Sequence, residues 1–147
     1  MASLIVPNPQ HRRLLQKALD VLHVSNTNPF SIVAYEAAYN DGAEWLDALM
    51  NYLQHNKNFV REFFAQKIPK FSVSDSEGTY LLWLDCRQLG MSDAQLRDFF
   101  IHKCKLGLSP GSIFGEGGSG FMRLNIGTQR KVVAKALESM AREMRQS

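Results

Sequence analysis

The apolar residues of this chain change their spacing at Ile68-Pro69. Before that point they recur at helical intervals, in two segments that begin at Asn8-Pro9 and Asn28-Pro29 and in a long third segment over residues 41–68. Asn-Pro is a typical helix start, because asparagine caps the first amides and proline fits the first turn. Beyond Pro69, segments of strand spacing alternate with helical ones. The sequence therefore predicts an α+β fold whose sheet lies in the C-terminal half.

We expect this sheet to be antiparallel or mixed, with three or four strands and helices packed on it. The run at 79–84 is almost continuously apolar, which is typical of a strand that is covered on both faces. Ser92 and Gln95 have the spacing of a capping box, and Thr128 is expected to cap the last helix. Trp45, Trp83 and the phenylalanines are interpreted as core residues. The predicted strands are residues 4–6, 71–73, 79–84, 106–108 and 121–126.

Composition restricts the classes of partner. The 147 residues carry a net charge of +3, and their basic residues are scattered along the chain instead of forming a dense run. We therefore expect no nucleic-acid partner and no membrane association. The two cysteines, Cys86 and Cys104, do not have the density of a secreted disulfide scaffold, which favours a cytoplasmic location. The four histidines are dispersed, and we expect no metal site.

Arg123 is the first candidate binding residue. It lies in the alternating segment at 121–126, where Met122 and Leu124 occupy the apolar face, so the arginine must lie on the other face. Its planar guanidinium suits two-point binding of a carboxylate or phosphate. A structural ion pair with Asp85 or Glu116 is an equally good interpretation from spacing alone.

A glycine-rich loop precedes that segment. Residues 115–120 formally match the G-x-G-x-x-G dinucleotide motif, but that motif needs a helix after it, and here a strand is predicted. We therefore interpret the loop as a connection or as a place where two backbone segments approach closely.

A series of short motifs also carries a family resemblance. In this order and at this spacing, the motifs resemble the PatB/MalY group of cystathionine β-lyase-like proteins, within the class I/II aminotransferase, fold-type I superfamily of pyridoxal-phosphate (PLP) enzymes. The resemblance extends from about Leu4 to the final helix. The motifs are Ala34-Tyr35-Glu36-Ala37-Ala38-Tyr39, Gly42, Trp45-Leu46, Tyr52-Leu53, Asn56, Glu77-Gly78-Thr79-Tyr80-Leu81-Leu82-Trp83-Leu84-Asp85, Gly111, Phe114-Gly115 and Phe121-Met122-Arg123-Leu124-Asn125-Ile126-Gly127.

The resemblance implies a division of the chain into three parts. Residues 1–40 would be the C-terminal remnant of a large PLP-binding domain, residues 41–68 a long interdomain helix, and residues 69–147 a small C-terminal α+β domain. Arg123 matches the arginine that binds the α-carboxylate of an amino-acid substrate. Asn125, two residues further on the same strand face, is expected to support that arginine.

The resemblance also implies what this chain does not do alone. The Schiff-base lysine of such enzymes would lie a few residues before Leu4, so we expect this chain by itself to hold no cofactor and to be inactive. The full-length protein would be a PLP-dependent carbon–sulfur β-lyase acting on a cystathionine-like substrate, or an aminotransferase, and a homodimer. The isolated chain is expected to oligomerise or to rearrange its N-terminal residues. The alternative is a non-catalytic module that binds amino acids or other carboxylates.

Overall fold

The structure is a computed structural model, and it describes residues 3–24 and 28–145. It divides into two compact units, Met1–Ala48 and Leu49–Ser147. The predicted division into three parts at residues 40 and 68 stays a prediction. The helices and strands are α1 (Pro9–Val21), α2 (Pro29–Asp41), α3 (Ala43–Lys67), β1 (Ser72–Val73), β2 (Leu81–Asp85), α4 (Asp93–Asp98), β3 (Ser109–Pro110), β4 (Phe121–Asn125) and α5 (Arg130–Met144).

The first unit contains the two helices that begin at Asn-Pro. Asn8 Oδ1 accepts hydrogen bonds from the amides of Gln10 and His11, at 2.8 and 3.2 Å, which confirms the predicted cap. Asn28 caps α2 in the same way, through the amide of Phe30 at 2.9 Å. Neither helix contains a buried residue. The apolar side chains that would form their packing faces are therefore at most half-buried within this chain, and several, such as Leu14 and Phe30, are exposed.

The predicted strand at residues 4–6 is wrong. These residues have no strand assignment, and Leu4 and Ile5 are 69% and 89% exposed. A strand requires a hydrogen-bonded partner, and no ladder among the described residues includes this segment.

The second unit confirms the predicted α+β fold. Its four strands form one sheet in the order β1-β2-β4-β3, and every neighbouring pair is antiparallel. Two predicted strand positions are shifted. β2 begins at Leu81 instead of Thr79, because Thr79 has a φ of 64°, in the left-handed region. Residues 106–108 are irregular, and the short strand β3 follows them instead.

One face of the sheet is buried, and the other is only partly covered. Leu82 and Leu84 of β2, and Met122 and Leu124 of β4, are between 0% and 4% exposed, whereas the residues that alternate with them are half-buried or exposed. The expectation that residues 79–84 are covered on both faces is therefore wrong. The buried face packs with residues of α3, α4, α5 and the turn after α4, including Val60, Phe64, Leu96, Phe100, Val133, Leu137 and Met140.

The helix caps agree with the sequence at one position and differ at another. Ser92 and Gln95 form the predicted capping box, with hydrogen bonds of 3.3 and 2.9 Å. Thr128 does not cap α5, since Gln129 occupies the N-cap position without a side-chain hydrogen bond.

Trp45 is 68% exposed and Trp83 is only half-buried, so neither is a core residue of this chain. In the described part of the chain, no helix combines the length and the apolar character needed to cross a bilayer.

Candidate functional site

Arg123 lies on the partly covered face of the sheet, as the alternation of β4 predicts. β4 is an inner strand, paired on one side with β2 and on the other with β3. In that register Arg123 lies directly opposite Trp83 on one side and Ser109 on the other. Because directly opposite residues of antiparallel strands share a face, the three side chains are brought together by the pairing itself.

The guanidinium of Arg123 contacts one hydroxyl group and one aromatic ring. Its Nη2 donates a hydrogen bond to Ser109 Oγ at 3.3 Å. Its Cζ lies 4.6 Å from the centre of the Phe114 ring, a cation–π distance. Both contacts leave most of the five N–H donors of the guanidinium available, and these donors suit a carboxylate held at two points.

The carboxylates expected as structural partners of Arg123 do not pair with it. Asp85 instead accepts two hydrogen bonds from the guanidinium of Arg87, at 2.9 and 2.7 Å, and a third from its amide at 3.0 Å. The side-chain hydrogen bond from Arg87 lowers the pKa of Asp85. Glu116 is exposed, and none of the ion pairs within the described ranges includes Arg123. Arg123 is therefore a half-buried cation with no carboxylate partner in residues 3–24 and 28–145.

Asn125 shares the face of Arg123 but is engaged locally. Its Oδ1 accepts a hydrogen bond from the amide of Gly127 at 2.8 Å, and it is exposed. No hydrogen bond joins it to Arg123 in the described structure. Its support of the arginine stays a prediction.

The glycine loop folds tightly against itself. A Cβ atom on Gly118 would lie 2.0 Å from the carbonyl oxygen of Gly111, and one on Gly111 would lie 2.2 Å from the carbonyl oxygen of Gly118. Two short 3₁₀ turns, Gly111–Phe114 and Glu116–Gly118, lead from β3 to β4, so a strand follows the G-x-G-x-x-G match. The loop is a close approach of two backbone segments, one of the two interpretations made from the sequence.

The loop also forms one wall of a cavity of about 520 Å³, which we call the aromatic cleft. Arg123 does not line this cleft, but it contacts the lining residue Phe114. Trp83 and Phe114 meet edge to face in it, with ring centres 5.4 Å apart. Phe114 was quoted from the sequence only as part of a family motif and was not predicted as a site residue, because it precedes β4 and reaches Arg123 only through the folding of the loop. The cleft is lined by Ser74, Trp83, Phe114, Phe121, Glu116 and the glycines at 115, 117 and 118.

A buried polar cluster on α3 fixes the backbone just after β4. The side chain of Asn56, which is fully buried, donates to the carbonyl oxygens of Ile126 and Thr128, both at 3.1 Å. Its Oδ1 accepts from Arg130 Nε at 2.6 Å. Tyr52, one helical turn earlier, accepts from the amide of Arg130 at 2.6 Å. Helix α3 therefore holds the segment that follows β4, and the first residue it contacts there, Ile126, lies three residues after Arg123.

The cysteines do not form a reactive site. Burial raises the pKa of both Cys86 and Cys104 to about 12, so their nucleophilic thiolate forms are scarce at neutral pH. No group of three or more histidine, cysteine, aspartate or glutamate side chains in the described residues could hold a metal ion. Arg123 and the aromatic cleft remain the candidate site.

The similarities to known proteins agree with the fold. No protein-family model matches the chain. The chain is 37% identical over 126 residues to cystathionine β-lyase PatB of Bacillus subtilis, covering 86% of this chain and 33% of that protein. It is 34% identical over 122 residues to the protein MalY of Escherichia coli, covering 83% of this chain and 31% of that protein. The chain thus spans about a third of the length of these curated relatives.

The structural similarity covers almost the whole chain. The crystal structure of cystalysin from Treponema denticola, which contains a pyridoxal 5′-phosphate cofactor, superimposes with a TM-score of 0.93 at 31% identity. The match covers 97% of this chain and 36% of cystalysin. Sequence and structure therefore agree that the chain belongs to the PatB/MalY-like group of fold-type I PLP enzymes.

Proposed function

We propose that this chain is the substrate-carboxylate-binding part of a PLP-dependent enzyme that acts on amino acids, either a carbon–sulfur β-lyase with a cystathionine-like substrate or an aminotransferase. The observation that carries the proposal is Arg123, a half-buried guanidinium without a carboxylate partner among the described residues, held on an inner strand. Its role is to bind the α-carboxylate at two points and so to fix the orientation of the amino acid.

The proposal places the PLP site outside the described residues of this chain. The cofactor needs a lysine amine, and the lysines of the described ranges are exposed except for Lys57. Lys57 is buried, and its Nζ donates to the carbonyl oxygen of Ser76 at 2.7 Å. In the proposed enzyme the cofactor is held by other residues, and this chain contributes substrate binding alone.

The test is calorimetric titration of the chain with L-amino acids, using the wild type and Arg123→Ala. We expect the wild type to bind and Arg123→Ala to lose at least about tenfold in affinity, because a charged hydrogen-bonded pair contributes roughly 1.5–3 kcal/mol. Arg123→Lys should restore only part of the affinity, since an ammonium cannot match the two-point geometry. Equal affinities of the wild type and Arg123→Ala would refute the proposed role of this residue.

The alternative is a non-catalytic carboxylate-binding module, which the same unpaired guanidinium favours. Mixing the chain with PLP tests an expectation that both proposals share, that this chain alone holds no cofactor. A lysine-linked cofactor absorption band would contradict that expectation. Arg123-dependent binding by a chain that functions alone in the cell would support the module instead.

Two further properties belong to the proposed enzyme. Its full-length form is a homodimer, which sedimentation of the complete protein tests. The unpaired cysteines Cys86 and Cys104 fit a reducing, cytoplasmic compartment.

A further inference from the structure

The aromatic cleft and the guanidinium of Arg123 are parts of one surface. Phe114 contacts both, since its ring lies 4.6 Å from Arg123 Cζ and 5.4 Å from the ring of Trp83. Trp83 is also the cross-strand neighbour of Arg123. A ligand whose carboxylate binds Arg123 therefore has two aromatic side chains within reach of its next few atoms.

We propose that the aromatic cleft receives an apolar side chain of the ligand whose carboxylate binds Arg123. This inference rests on the proposed function and adds the class of ligand to it. Phe114 is 50% exposed and Trp83 is half-buried, so their ring surfaces are partly in water when no ligand is present. Covering these rings with a hydrocarbon, thioether or aromatic group removes apolar surface from water on both sides of the contact.

The charge of the aromatic cleft excludes a second class of ligand. Glu116 lines the cleft and is exposed. Its carboxylate repels a second carboxylate on the ligand, because like charges that share a partly enclosed site raise each other's free energy. The preferred ligand therefore has a side chain without net negative charge. A simple dicarboxylate such as succinate is disfavoured, whereas the far end of a cystathionine-like substrate balances its carboxylate with an ammonium group.

The fluorescence of Trp83 reports on the proposed site. The chain contains two tryptophans, and Trp45, which is 68% exposed, is removed by Trp45→Phe. This single-tryptophan protein is titrated with acetate, 3-phenylpropionate and succinate. We expect 3-phenylpropionate to bind about tenfold more tightly than acetate, because part of a ring is desolvated against the cleft. Succinate should bind no more tightly than acetate.

Three further variants connect the preference with its cause. Phe114→Ala removes the shared ring and should bring the ratio of the acetate and 3-phenylpropionate dissociation constants close to one. The matched control is Ile113→Ala, which lies in the same 3₁₀ turn, is 69% exposed and does not line the cleft. We expect this control to keep the full ratio. Glu116→Gln should raise the affinity for succinate while leaving that for acetate almost unchanged.

Each outcome separates this inference from the proposed function. Similar affinities for acetate and 3-phenylpropionate, both lost in Arg123→Ala, would overturn the side-chain site and leave the carboxylate site intact. Binding of 3-phenylpropionate that is equally strong in Arg123→Ala would overturn the carboxylate role and the shared site with it. The absence of a saturable response to all three ligands would overturn both. A preference that survives in Phe114→Ala would show that the cleft is not its source.

Discussion

Replacing Asn56 by alanine tests whether α3 holds the strand that carries Arg123. Asn56 and Lys57 are the buried polar residues of the described chain, and Asn56 is 0% exposed. Asn56→Ala removes two donors and one acceptor at once. The carbonyl oxygen of Ile126 then lies in a buried setting without its side-chain donor, whereas Thr128 and Arg130 are only partly buried and can reach water.

The magnitude follows from these three contacts. A buried polar group left without a partner costs about 1–3 kcal/mol, and the partly buried groups cost less because water replaces the lost bond. The cavity left by the deleted amide adds to this value. We expect the free energy of unfolding to fall by roughly 2–4 kcal/mol, which is a large part of the 5–15 kcal/mol typical of a domain.

Urea unfolding, followed by far-UV circular dichroism, measures this change. The matched control is Asn58→Ala, on the same helix, where the side chain is exposed and accepts a hydrogen bond from Gln54 at 3.0 Å. We expect this control to change the free energy of unfolding by less than about 0.5 kcal/mol, since an exposed helix position tolerates alanine well. Equal effects of the two substitutions would refute the proposed role of Asn56 in holding the exit of β4.

Three further predictions address the loop, the ion pair and the first unit. Gly118→Ala should lower the melting temperature, because its Cβ would lie 2.0 Å from the carbonyl oxygen of Gly111, and calorimetry should show a loss of more than about 2 kcal/mol. The pKa of Asp85 is lowered by its hydrogen bond with Arg87, so its stabilisation is present above the unfolded pKa, near 3.9, and is lost as the pH falls through the lower folded value. The stability advantage of the wild type over Asp85→Asn, measured by urea unfolding, should therefore shrink only in acid. The purified chain should self-associate in sedimentation velocity through exposed apolar residues such as Phe30, and Phe30→Ser should weaken that association.

Each of these predictions has a clear contrary result. Gly117→Ala is the control for the loop, since no atom lies within 4 Å of a Cβ built there, and a loss as large as that of Gly118→Ala would contradict the close-approach explanation. A pH-independent difference for Asp85→Asn would show that the ion pair with Arg87 does not stabilise the fold. A monodisperse monomer would contradict the association of the isolated chain.

Local signals in the sequence predicted the structure well where a short segment determines it alone. Asn8 caps α1 through bonds to residues two and three positions later, so the pattern and its cause lie together in the chain. The face of the sheet on which Arg123 lies was also predicted correctly, because the alternation along β4 is a local pattern. The start of β2 was missed because it depends on the left-handed backbone of Thr79, which no pattern of apolar residues reveals.

Features that depend on distant partners were not predicted. β3 has only two residues and is defined solely by its pairing with β4. Asn56 looks like any polar residue on a helix, and its burial becomes apparent only when residues 126–130 are placed against it. The absence of the expected pair between Asp85 and Arg123 likewise depends on a third residue, because Arg87 pairs with Asp85 instead.

The antiparallel pairing of β2 with β4 also determines when the site can form during folding. Trp83 and Arg123 are directly opposite in the sheet but about forty residues apart in the chain, so their encounter must close a loop of that length. β1 and β2 pair across a much shorter connection and can form first. We therefore expect the candidate site to be among the last parts of the sheet to form. On a ribosome, it can form only after β4 has left the exit tunnel, when most of this chain has already been synthesised.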